Sequence, residues 1–215
     1  MINIAAVTVS SPEIGMGHLT RSVQLLSLLD ESIFNYEIIG ENYSLPSWIN
    51  NFKHTFTKLN NIDISSLNKF DIVIFDSYIH RDILENITSK IILIDDFNHL
   101  GSTKADIVID YNYGSSEDLY PEDVDLLLSP DYFPISENTF PEYYKDSPSK
   151  FDKDGEILLS FGGVSDKKLI DIKEQIQFYE KFGDIILMDP LGKLNEFKPY
   201  VKNLIQYQSL SDVFS

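Results

Sequence analysis

Cysteine is absent from the 215 residues, which excludes disulfides, thiolate metal ligands and cysteine nucleophiles together. Positive charge is scarce. Lys and Arg total 17 against 34 Asp and Glu, for a formal net charge of −17, and such a field works against nucleic acid and anionic membrane surfaces. No basic patch interleaved with aromatics is present, so no nucleic-acid partner is expected. Long apolar runs are lacking as well. None approaches the ~20 residues that cross a bilayer, and no basic region precedes the short N-terminal apolar run, unlike a secretory signal. These absences predict a cytoplasmic protein without membrane insertion. The four histidines show no i, i+4 pair and have no cysteine to join them, so no metal site is expected. What remains is ordinary for a globular protein: 43% hydrophobic and 24% charged residues.

The chain is organised around Ile14-Gly15-Met16-Gly17-His18-Leu19-Thr20-Arg21. Before it, residues 2–9 are almost unbrokenly apolar and β-branched, which suits a strand buried on both faces of a parallel sheet. After it, Leu19, Val23, Leu26 and Leu29 fall at helical spacing over residues 19–29. Strand, glycine turn and helix make a βα unit, whose helix N-terminus offers unpaired N–H groups and a positive dipole end to a ligand. Gly15 and Gly17 leave room for a phosphate or sugar to approach the backbone, and His18 lands in the first helical turn. Arg21, one turn further, shares its face, placed to neutralise a phosphate or to pair with a strand-end aspartate. A tight βα turn whose His only caps or packs reads equally well from these residues alone.

Further strands are predicted at 36–40, 70–75, 90–94 and 105–109, with a helical piece over 81–88. Residues 44–52 are ambiguous, Pro46 offering a start for a short helix bearing Trp48, Ile49 and Phe52. Three successive strands run into Asp76-Ser77-Tyr78, Asp95-Asp96 and Asp110-Tyr111-Asn112. Ligands bind at the carboxyl ends of strands in an open parallel sheet, although each Asp also reads as a helix cap or turn former. His80 and Arg81, close to Tyr78, are read as solvent-exposed; His54 and His99 receive no role. Residues 115–153 are rich in proline, acidic and aromatic residues, with Leu126-Leu127-Leu128 as a short apolar core. A new strand at 156–161 then leads into Gly162-Gly163 and a helix over 168–182, followed by strands at 184–188 and 204–207. The expected organisation is a Rossmann-like domain over 1–145, a linker over 146–155 and a second Rossmann-like domain over 156–215.

Two such halves are the layout of GT-B type nucleotide-sugar enzymes. In detail the sequence resembles the UDP-2,4-diacetamido-2,4,6-trideoxy-altropyranose hydrolases of pseudaminic acid biosynthesis and their spore-coat polysaccharide relatives. The matching segments are Ile14-Gly15-Met16-Gly17-His18 with Arg21, Asp76-Ser77-Tyr78, Ile94-Asp95-Asp96, and Ala105 through Asn112. Ser129-Pro130-Asp131-Tyr132-Phe133-Pro134-Ile135 and Leu158-Leu159-Ser160-Phe161-Gly162-Gly163 followed by Asp166 complete the set. They occur in the family's order from residue 2 to about residue 190.

The resemblance implies a GT-B-like α/β fold and hydrolysis of a UDP-linked aminosugar at its anomeric carbon, with no cofactor. It makes His18 the base or orienting group for the attacking water, Tyr78 a second polar contact near the sugar, and both catalytic. An imidazole titrates near neutral pH and is suited to take that proton. Substrate contacts are implied for Gly15, Met16, Gly17, Arg21, Asp76, Asp95, Asn112, Gly162 and Gly163, the glycine N–H groups stabilising charge on the pyrophosphate. One departure stands out: the family's second domain continues past the point where this sequence stops, at Ser211–Ser215, just where another helix should begin. The expectation is therefore a shortened second domain, and with it three alternatives. The chain is part of a longer one, a second chain completes it, or catalysis has been lost. Two further readings accompany the hydrolase: a GT-B glycosyltransferase of surface polysaccharide synthesis, and a non-catalytic binding or assembly module.

Overall fold

The computed structural model describes residues 1–10, 14–42, 56–58, 63–98, 101, 104–134, 156–161, 166–189, 192 and 194–205. The chain divides into two compact units. One comprises Met1–Ser10, Gly17–Tyr43 and Lys53–Ile135, the other Ser11–Met16, Ser44–Phe52 and Ser136–Ser215. No helix among the described residues is long and apolar enough to cross a membrane.

The first unit is a seven-stranded sheet: β1 (Ile2–Ser10), β2 (Phe34–Asn42), β3 (Phe56–Lys58), β4 (Ile72–Asp76), β5 (Lys90–Ile94), β6 (Ile107–Asp110) and β7 (Asp125–Leu128). Their order is β3-β2-β1-β4-β5-β6-β7, and every pairing is parallel. The chain winds outward from β1 to β3, then returns to the other side of β1 to lay down β4. That reversal leaves a crevice at the carboxyl ends of β1 and β4, where α/β sheets bind ligands. Helix α1 (Gly17–Ser27) makes the first crossover, burying Leu19, Val23 and Leu26. β1 is buried on both faces from Ile4 onward, as its unalternating apolar sequence requires.

Alternation sorts the strand residues between the two faces. Ala5, Val7, Val73, Phe75, Ile91, Leu93 and Val108 join a core with Leu67, Leu84 and Ile87. The intervening residues Ile4, Ala6, Ile74 and Asp76 share the face on which α1 lies. Helix α2 (Ile64–Leu67) is a single turn capped by Asp63, whose carboxylate accepts from the Ser65 N–H. The seventh strand arises where the sequence showed only an apolar triplet, and β3 was not foreseen. The segment predicted helical over 81–88 is a 3₁₀ helix, Arg81–Asn86.

In the second unit β8 (Ile157–Ser160), β9 (Ile185–Met188) and β10 (Asn203–Ile205) form a parallel sheet in the order β10-β9-β8. Helix α3 (Asp166–Tyr179) follows β8 and buries Ile172 and Ile176 against Ile185, Leu187, Leu194 and Phe197. Asp189, fully buried after β9, accepts from the Leu194 N–H at 2.8 Å. Lys202 pairs with Glu156 and Asp184 in solvent, where such pairs contribute little. The expected 44–52 helix, the 146–155 linker, Gly162-Gly163 and residues 206–215 lie outside the described residues.

Candidate active site

His18 is the second residue of α1 and is 5% exposed. Its Nδ1 lies 2.6 Å from Oδ1 of Asp76, the last residue of β4. Asp76 is fully buried, and Arg21 grips it as well, Nε donating to Oδ2 at 2.5 Å and Nη2 to Oδ1. Arg21 Nη2 also approaches His18 Nδ1 at 2.8 Å. Nδ1 cannot donate to a carboxylate and accept from a guanidinium at once. An ionised Asp76 only accepts and Arg21 only donates, so Nδ1–H belongs to Asp76 and Nη2–H to the same carboxylate. That tautomer leaves the Nε2 lone pair as the ring's proton acceptor. Burial works to lower the Arg21 guanidinium, but its bonds and charge pairing with Asp76 outweigh this and raise it further.

Two tyrosines flank the pair. The Tyr111 hydroxyl accepts from Arg21 Nη1, and its ring meets Phe133 edge-on at 4.7 Å. The Tyr78 ring stands at 86° to the His18 imidazole, with centroids 4.5 Å apart. Tyr78 donates its hydroxyl proton to Asp96 Oδ2, and Asn112 Nδ2 donates to Asp96 Oδ1 at 2.9 Å. Burial, and then the bond to Asp96, push the Tyr78 phenol up to about 12. Desolvation tends to raise the Asp96 carboxyl, but the bonds from Tyr78 and Asn112, with Arg21 and His18 nearby, hold it below the usual carboxylate range. His18, Arg21, Asp76, Tyr78, Asp96, Tyr111 and Asn112 thus form one connected cluster at the carboxyl ends of β4, β5 and β6.

Asp95, expected to face this crevice, does not. It lies on the core side of the sheet, in step with Ile91 and Leu93. There it is 1% exposed and paired with Arg81 at 2.5 Å. Arg81, read from the sequence as solvent-exposed, is therefore buried. Alternation explains both results, because Asp96 and not Asp95 shares parity with Ile92 and Ile94. Counting faces along β5 would have exchanged the two aspartates. Asp110 proves to be a turn former. Fully buried, it accepts from the N–H groups of Phe97 and Asn112, from Asn112 Nδ2 and from the Tyr120 hydroxyl.

Gly15 has φ 89°, the left-handed conformation that glycine holds at least cost. Gly17 needs no such licence, and a Cβ placed on it would meet nothing within 4 Å, so the N-terminus of α1 opens onto free space. Gly15 and Met16 group with the second unit, and Gly162 and Gly163 lie outside the described residues. Each guanidinium nitrogen of Arg21 donates one bond within the cluster, Nε and Nη2 to Asp76 and Nη1 to Tyr111. A groove of about 670 Å³ beside Tyr120 and β7 is lined by Glu117, Asp118, Glu122 and Asp125. Four carboxylates suit no nucleoside diphosphate, and none of the His18 cluster lines it. Among the described residues no three His, Asp or Glu side chains are grouped to hold a metal ion.

Comparison with solved structures places the chain in the GT-B glycosyltransferase fold class. A HepE protein of Anabaena, solved with UDP and glucose, aligns over 99% of this chain and 71% of its own length at TM-score 0.54 and 11% identity. The Phytolacca americana protein UGT2, complexed with UDP-2-fluoro-glucose and pterostilbene, covers 96% and 71% at TM-score 0.51 and 11% identity. Staphylococcus aureus MnaA with UDP covers 100% and 71% at TM-score 0.50 and 12% identity. No protein-family model matches. In sequence the chain is 31% identical to an uncharacterized protein of Methanocaldococcus jannaschii across an aligned span of 229 positions. That span takes in 98% of this chain and 47% of the relative, so the chain covers about half of the relative's length.

Proposed function

We propose that this chain carries the hydrolytic half-site of a nucleotide-sugar enzyme, cleaving a UDP-linked aminosugar at its anomeric C–O bond in surface nonulosonic acid or polysaccharide synthesis. The observation that supports it is the 2.6 Å bond from His18 Nδ1 to buried Asp76. A carboxylate that fixes the tautomer of an imidazole and frees its other nitrogen is the arrangement general-base catalysis needs. In the proposed step Nε2 takes a proton from water as the water oxygen bonds to the anomeric carbon. The bond from that carbon to the β-phosphate oxygen breaks, its electron pair leaving with UDP. Tyr78, a neutral phenol well above pH 7, donates to Asp96 and walls the imidazole on its edge-on side. Arg21 acts on Asp76 rather than on phosphate. The role of Gly162 and Gly163 in holding the pyrophosphate rests on the family resemblance.

The test is UDP release from a panel of UDP-aminosugars without acceptor. Asp76→Asn should lose on the order of 10²–10⁴ in kcat, the usual weight of a positioned acid–base group, and His18→Ala at least as much. Full activity in folded His18→Ala would sink the assignment. The GT-B neighbours favour a second reading, in which an acceptor hydroxyl replaces water as the group deprotonated by His18. Product that forms only when acceptor is added would decide for transfer over hydrolysis.

A further inference from the structure

Arg81 and Asp95 make a buried ion pair outside the His18 cluster. Arg81 Nη2 donates to Asp95 Oδ1 at 2.5 Å, and Nε donates to the Ser77 carbonyl at 3.2 Å. Both side chains are more than nine-tenths buried. Among the described residues, Arg81 Nη1 and Asp95 Oδ2 have no hydrogen-bond partner although both are buried. A half-satisfied ion pair is a poor source of stability, because well-packed apolar side chains of similar volume do as well or better.

Its position gives the pair a different use. Ser77 directly precedes Tyr78, and Asp95 directly precedes Asp96. The pair therefore ties the segment after β4 to the segment after β5, one residue from the Tyr78–Asp96 bond. The tied segment is under strain. His80 sits at φ 61°, an uncommon conformation for a residue with a Cβ. Ser77 Oγ accepts from the Ile79 N–H at 3.1 Å and donates to the Ile79 carbonyl at 3.0 Å, closing a tight turn under Tyr78.

We infer that Arg81 and Asp95 are positioning residues: their pairing sets the Tyr78 and Asp96 segments in register and so seats Tyr78 edge-on against His18. The consequence for turnover rests on the function proposed above, but the geometric claim does not. It is tested by NMR on the whole chain, reading the ring-current displacement that Tyr78 imposes on the His18 imidazole protons, defined as wild type minus Tyr78→Leu. The double variant Arg81→Met/Asp95→Leu replaces the pair with apolar volume. We expect it to fold and to lose at least half of that displacement, with kcat for UDP release falling at least tenfold. A folded double variant with the full displacement overturns the inference.

Should the double variant not fold, Arg81→Lys decides. It keeps a charge opposite Asp95 but lacks the fork that reaches Ser77 at the same time. A reduced displacement then supports the inference, and one equal to wild type overturns it. A wild-type chain that shows the displacement but releases no UDP in the absence of acceptor would sink the hydrolytic reading alone.

Discussion

Tyr78 holds its proton more tightly in the folded chain than an ordinary phenol does, because it is partly desolvated and donates to Asp96. A group whose pKa is raised on folding stabilises the folded state fully below its unfolded value, and that contribution is lost as pH rises through the folded one. For Tyr78 the window runs from about 10 to about 12. Tyr36, Tyr111 and Tyr120 are also raised, burial being the largest cause in each, so stability should decline on the alkaline side. Tyr78→Phe should make that decline shallower, measured as the urea midpoint between pH 9.5 and 11.5. An unchanged slope would contradict the bond to Asp96. Asp96 runs the other way. Its lowered carboxyl stabilises the fold above the unfolded value near 3.8 and loses that contribution as pH falls below it. Asp96→Asn should therefore flatten the acid limb of the same profile.

Among the elements, β2 lies beside β1 with Gly40 paired to Thr8. A Cβ at Gly40 would stand 1.8 Å from the Thr8 carbonyl oxygen, a distance no side chain tolerates, so Ala can enter only by parting two central strands. Overpacking of this kind typically costs about 1–3 kcal/mol or more, and in a chain of this size each kcal/mol shifts Tm by roughly 2–4 °C. Gly40→Ala should lower Tm by several degrees in differential scanning calorimetry, whereas Gly17→Ala, with open space at its Cβ, should not. The contrast separates a glycine needed by the sheet from one the fold leaves free for function. The β-strands were also the most legible elements. The apolar, β-branched run 90–94 matched its strand to the residue and the other predicted runs fell within a few residues of theirs, because a largely buried parallel strand leaves its mark in consecutive positions. By contrast, β3 and the 3₁₀ helix at Arg81–Asn86 are too short to build a pattern of their own.

At the scale of the whole molecule, the formal net charge of −17 repels itself most strongly when compact. Raising NaCl from about 0.01 M to about 0.5 M shrinks the screening length from about 30 Å to a few Å. The urea midpoint at pH 8 should rise over that range. A midpoint that falls with salt would mean that attractive exposed pairs such as Lys202–Glu156 outweigh the general repulsion. The same field bears on the proposed substrate. A nucleoside diphosphate gains nothing from the long-range potential, so its recognition must rest on local donors, and Arg21 is already committed to Asp76 and Tyr111.

The sequence by itself determined the α/β class, the strand–glycine–helix turn ahead of His18, and a set of aspartates at successive strand ends. Each of these is written in neighbouring residues, through hydrophobic runs and turn chemistry. Only the tertiary structure decided what each aspartate does. Asp76, Asp95 and Asp110 look alike in sequence, and all three are buried. Asp76 turns toward α1 and orients His18, Asp95 turns to the opposite face and pairs with Arg81, and Asp110 closes a turn. For Asp76 and Asp95 the difference lies in strand parity and in partners 58 and 14 residues away, contacts that form only once the sheet has set its order and register.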